Sequence, residues 1–197
     1  MNRSLPLFRF LLLFIFAAAT AHGATLTWTN TAGGAWTDAA NWSPNQTPAA
    51  ADQVSITNAG TYTVTLGVNA SVSSLAIGGG TGTQTFQQTG GTLNSGNGSV
   101  RPNGRLSFQA GALGGVVLVE SNATFLVEGS ATKTLSAITT NRGTFQVSGT
   151  GDLYLTGSID NEGLLNLAGD MRLLSVQSQP RPLRNTGTLR KSAGTGT

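Results

Sequence analysis

The chain has 197 residues, no cysteine, one histidine and 10% charged side chains, and Gly, Thr, Ser and Asn together supply 86 of its positions. Without cysteine there is no disulfide scaffold, no thiolate metal site and no cysteine nucleophile. With 39% apolar residues the chain can bury a core, which excludes general disorder.

The first 23 residues read as a secretory signal peptide. Arg3 and Arg9 form a positive start, and residues 10–19 are an unbroken apolar run. That run is too short for a membrane span, which needs roughly 20 residues. Small residues then offer cleavage after Ala21 or after Gly23. The expected location is therefore secreted, extracellular or at the cell surface, with the periplasm as the alternative, and no membrane span remains after cleavage. Cleavage removes two arginines and puts His22 at the cut, leaving nine basic and eight acidic residues. The sequence pI near 10 thus carries no nucleic-acid implication. Arg172, Arg181, Arg184, Arg190 and Lys191 cluster in the tail, but without the aromatic residues that stack bases. No nucleic-acid partner is expected.

Residues 24–60 hold all three tryptophans, Trp28, Trp36 and Trp42, followed by Pro44 and Pro48 and a first strand at residues 54–56. From residue 61 to 197 short alternating runs separated by Gly, Asn and Ser give strand-and-turn grammar, clearest in Tyr62, Val64 and Leu66 alternating with three threonines. Leu66, Phe86, Leu106, Phe125, Phe145, Leu165 and Leu189 recur at intervals near 20 residues, as do Leu75, Leu93, Leu113, Leu135, Leu153 and Leu173. Asn103, Asn122, Asn141, Asn161 and Asn185 precede most members of the first column by three or four residues. A register held over many periods predicts an all-β, right-handed β-solenoid, with a β-sandwich as the alternative. Residues 24–60 are then its cap, the tryptophans covering an end that would otherwise expose apolar side chains and bare strand edges. The functional alternative makes Trp36 or Trp42 a sugar-binding platform.

Gly34, Trp36, Asn41, Trp42, Pro44, Pro48, Asp52, Val54 and Ile56, then Thr61–Leu66, Leu75–Gly79 and Gly91–Leu93, carry a resemblance. They are similar to large secreted bacterial surface proteins whose passenger regions resemble autotransporter or filamentous-haemagglutinin-type right-handed β-helices. The likeness spans most of the mature chain. It implies an extracellular or cell-surface location and adhesion or matrix roles, and it transfers no catalytic residue. A C-terminal outer-membrane barrel, a sorting motif and a lipidation cysteine have no counterpart in these residues.

Polysaccharide hydrolases and lyases also occur on β-helices, so the acids matter. Asp152 and Asp170, 18 residues apart, are the pair that adjacent coils would bring together. A paired-carboxylate mechanism wants a separation of about 5 to 9.5 Å beside a groove. Both lie next to glycine in turn-like settings, where a solvated corner is the ordinary fate of Asp. No cofactor or metal is expected: the mature chain lacks His and Cys for zinc, and the Gly78–Gly82 stretch lacks the Asp of a calcium repeat and the Lys of a phosphate loop. A serine nucleophile would have only Lys133 or Lys191 as base. The Asn-x-Ser/Thr triplets at Asn41, Asn45, Asn69, Asn97 and Asn122 are what a chain this rich in Ser and Thr produces by chance.

The expectation is a structural or adhesion-type β-solenoid without catalytic activity, with surface glycans or other cell-surface proteins as partners. The alternative is a carbohydrate-binding or polysaccharide-processing β-helix. Leu189 opens a further coil and residues 192–197 offer no cap, so end-to-end association or continuation is expected there.

Overall fold

A computed structural model describes residues 23–175 and 183–196. The expected leader, apart from Gly23, and Arg181 lie outside the described residues. The chain opens with β1 (Thr25–Trp28) and β2 (Gly34–Ala35), then a 3-10 turn at Ala39–Asn41 and the short β3 (Trp42–Ser43). Coils of two strands follow: β4 (Gln53–Ile56) with β5 (Tyr62–Leu66), β6 (Ala70–Ile77) with β7 (Gln84–Gln88), β8 (Thr92–Val100) with β9 (Gly104–Phe108), and β10 (Gly111–Val119) with β11 (Thr124–Val127). The later coils have three strands. These are β12 (Lys133–Leu135), β13 (Ile138–Asn141) and β14 (Thr144–Val147), then β15 (Leu153–Leu155), β16 (Ser158–Asn161) and β17 (Leu164–Ala168), and last β18 (Leu173–Ser175), β19 (Leu183–Asn185) and β20 (Thr188–Ala193).

Each coil pairs in parallel with the next, giving a β-solenoid of about six turns. One face is an eight-stranded sheet from β2 to β20. The opposite face runs from β3 and β1 through the long strands β6, β8 and β10, then divides: β10 pairs with β12 through its first half and with β13 through its second. A sandwich would be built largely from antiparallel neighbours; among the described residues the antiparallel pair is β1 with β3. No helix among them is long and apolar enough to cross a membrane.

The core follows the repeat, with corrections. Phe86, Leu106, Phe125, Phe145, Leu165 and Leu189 stack as expected. The residue above Phe86 is Val64, however, and Leu66 stands over Gln88. The Gly78–Gly82 corner lengthens the intervening coil and moves the register by two. In the second column Leu93, Leu113 and Leu135 stack, but Leu75 belongs with Val54 on the other half of the long strand. Leu153 lies under Lys133, not under Leu135. Lys133 therefore takes an inward position and is 1% exposed.

The three tryptophans close the N-terminal end. Trp42 meets Trp28 and Trp36 edge-on, with ring centroids 4.9 and 5.0 Å apart, and Trp36 continues onto Phe86 at 5.5 Å. Such pairs add about 0.5–1.5 kcal/mol each beyond burial. The Trp42 indole N–H donates to the Trp36 carbonyl at 2.9 Å and that of Trp28 to the Asn30 carbonyl at 2.6 Å, so both polar tips are satisfied. β4, inside the 24–60 segment, already pairs in parallel with β6 and is a rung of the solenoid.

The expected asparagine column divides into two kinds of residue. Asn141, Asn161 and Asn185 stack in register and bond amide to amide. Asn103 and Asn122 instead adopt φ near +65° and +63° in corner turns, a conformation that short polar side chains tolerate. In those coils the ladder position is filled by Val100 and Val119. The glycine two residues after each ladder asparagine is needed for close approach: a Cβ on Gly163 would sit 2.4 Å from the Gly143 carbonyl oxygen.

Candidate functional site

Outward side chains on the long-strand face form two columns in register. One runs Thr25, Gln53, Ser74, Asn97, and the other Thr27, Ser55, Ala76, Ser99, Leu118. Neighbouring members lie about 4.8 Å apart, the strand spacing. Between β8 and β10 the register slips, so that Gly96 and Asn97 lie opposite the single residue Val116. An extra residue of this kind kinks a strand and re-aims its side chains, and Asn97 stands exposed. The result is an open groove of about 460 Å³ crossing β1, β4, β6, β8 and β10. Its polar lining includes Gln53, Ser55, Ser74, Asn97 and Ser99, and its lower end is apolar, with Val116 38% exposed beside Ile138 at 61%.

Arg101 stands at the border of this groove. Its backbone N–H donates to the Ile77 carbonyl at 2.7 Å. Its side-chain stem passes Gly79, where an added Cβ would lie 3.6 Å from Arg101 Cδ. Gly78 and Gly79 have φ of +89° and +100°, a region open to glycine and poorly tolerated by other residues. The Gly78–Gly82 corner thus shapes the seat of this arginine. No carboxylate lines the groove.

The residues singled out in the sequence lie elsewhere. Trp36 and Trp42 are 1% and 0% exposed, so neither indole offers a face on which a sugar ring can stack. Asp152 is not set against Asp170. The β15–β18 register places it beside Arg172, which donates to its two oxygens at 2.8 and 2.6 Å. That contact raises the Arg172 guanidinium still further above its ordinary value. Asp170 accepts from the backbone N–H groups of Thr195 and Gly196, at 3.0 and 2.8 Å, and from Lys191 Nζ at 3.1 Å. Those backbone donors, then Lys191, hold its carboxyl below the usual carboxylate range.

The same use of charge recurs along the rod. Arg142 pairs with Glu162, Arg184 with Asp160 and, at 4.0 Å, Arg105 with Glu128, each across one coil boundary. Asp52 accepts from the N–H groups of Ala24 and Ala49, and Asp38 from that of Ala40. Among the described residues no three His, Cys, Asp or Glu side chains are grouped as metal ligands. Comparison with protein-family models, with characterised proteins and with solved structures finds no match.

Sequence reasoning missed the groove and Arg101. The groove depends on a one-residue register slip that composition and period do not reveal. The arginine had one signal: it follows Val100 directly, at the end of a strand rich in Asn, Ser and Gly.

Proposed function

We propose that this chain is a secreted or cell-surface structural protein of adhesion type, a passenger-like β-solenoid that works by contact and not by catalysis. The observation that carries the reading is the way charge is spent. Among the described residues five carboxylates pair with bases one coil away, so these acids serve to hold coils in register. The outer faces are then left as a lattice of hydroxyl and amide groups at about 4.8 Å spacing. Weak contacts repeated along such a rod multiply into useful avidity. The leader pattern of residues 1–23 and the resemblance to autotransporter and filamentous-haemagglutinin passengers support the same reading.

The test is expression of the full chain in a bacterial host, followed by fractionation, N-terminal sequencing and adhesion of beads coated with the product. The expected product leaves the cytoplasm, begins at His22 or Ala24, and makes beads adhere to polysaccharide-bearing surfaces. An uncleaved cytoplasmic product would overturn the location. Polysaccharide cleavage that is lost in Asp152→Asn would overturn the non-catalytic reading. A carbohydrate-binding β-helix is the second reading, favoured by the groove.

A further inference from the structure

We infer that the groove across β4, β6, β8 and β10 binds an extended carboxylated polysaccharide, a polyuronate, lying along the solenoid axis; its biological setting rests on the adhesive reading above. Three independent features point to this ligand. The first is shape: the groove is open and crosses several rungs, so it suits a polymer better than an enclosed small molecule. Its rungs repeat at about 4.8 Å, close to the length of one pyranose unit in an extended chain. Successive sugars therefore meet the successive polar side chains of Gln53, Ser74 and Asn97 in one column, and Ser55 and Ser99, with Ala76 on the rung between them, in the other.

The second feature is charge. Arg101 is exposed and takes part in none of the five ion pairs of the described residues, nor in any side-chain hydrogen bond. The other described arginines each engage a neighbouring coil: four pair with carboxylates, and Arg190 donates to Asn166 at 3.0 Å. A guanidinium with a free planar fork recognises a carboxylate through two parallel hydrogen bonds. With no acid in the lining, a polyanion meets no like charge there. The third feature is the apolar end. Val116 and Ile138 stack in register and remain exposed, offering a surface to the C–H face of a sugar ring.

The test uses the secreted product of the full-length gene and hexagalacturonate, with its methyl ester and cellohexaose as neutral probes. Calorimetry gives affinities and NMR maps the site. Binding of hexagalacturonate is expected to be saturable and salt-sensitive, with shifts at Ser74, Asn97, Ser99 and Val116. Arg101→Gln should weaken it by at least about tenfold, the effect of losing one charge-assisted hydrogen bond, while circular dichroism and the thermal midpoint stay unchanged. Arg142→Gln, outside the groove, should leave affinity as it is. Equal affinity for the methyl ester, unchanged affinity in Arg101→Gln, or shifts confined to the β5–β7–β9 face would each overturn the inference. If hexagalacturonate fails to bind while coated beads still adhere, the groove assignment falls and the adhesive reading stands.

Discussion

The side-chain amide of Asn141 donates to Oδ1 of Asn161 at 2.6 Å, one coil further along the chain. Asn161 donates in turn to Asn185 at 2.5 Å, and its amide also reaches the carbonyls of Gly163 and Thr188. Asn141 and Asn161 are fully buried, so an interrupted ladder leaves polar groups without water. Asn161→Ala is expected to cost about 1–3 kcal/mol, the range for orphaning buried hydrogen-bonding groups. Urea unfolding measures it, and a double cycle with Asn141→Ala should show coupling, since the two residues touch. Asn103→Gly should cost less, because glycine adopts the positive φ freely and the bond lost, from the Asn103 amide to the Gly80 carbonyl, is exposed to water.

That contrast marks the limit of what the letters carry. Phe86, Leu106, Phe125 and Phe145 were legible as a column because one apolar residue per coil must point inward at the same place. Asn103 and Asn161 look alike in sequence, yet Asn103 turns an exposed corner at positive φ with its amide on the Gly80 carbonyl, whereas Asn161 is buried and bonds the next asparagine of a ladder. Leu66 was misplaced because a glycine-rich corner adds length without changing the pattern of the strands it joins. The candidate site was less legible still. Trp36 and Trp42 read as cap residues with a sugar platform as the alternative, and their full burial leaves no indole face for a sugar. The Asp152–Arg172 contact spans the same 20-residue offset as the apolar columns, whereas Asp152 and Asp170 are 18 apart and fall out of that register.

Burial of Trp28, Trp36 and Trp42, the whole tryptophan complement, makes the cap measurable by fluorescence. Acrylamide should quench the emission poorly in the folded protein and strongly in urea. Saturating hexagalacturonate should leave the emission maximum unshifted, since the groove lining includes no indole. Efficient quenching in the native state would show that the tryptophan end is open.

Ser95 faces inward and is 2% exposed, and its hydroxyl has no hydrogen-bond partner. It borders a cavity of about 10 Å³ shared with Leu75, Leu93, Leu113 and Val117, at the lower limit for one water. Ser95→Val removes the orphaned hydroxyl and adds apolar volume in a strand that favours β-branched residues. A gain of about 1–2 kcal/mol is expected, read as a thermal midpoint raised by about 2–8 °C for a chain of this size. A lowered midpoint would mean that the cavity does not accept two methyl groups.

Lys133 gives the fold a pH dependence of definite sign. It lies between Gly111 and Leu153 in its column, and its ammonium donates to the Ala131 carbonyl at 2.6 Å. Burial pushes the ammonium below its ordinary value of 10.5. Between the lowered folded value and the unfolded one, the unfolded chain binds more protons, so stability rises with pH across that window. Tyr62 acts the other way above about pH 10, because burial raises its folded value and only the unfolded phenol then ionises. Comparison with Lys133→Met isolates the lysine, since Tyr62 is common to both proteins. The variant, relieved of a buried charge, should be the more stable at neutral pH. Its advantage, followed as thermal midpoints from neutral pH to about pH 10, should shrink once the pH passes the lowered folded value of the lysine. A difference that stays constant over that range would show that the ammonium keeps its water in the folded protein.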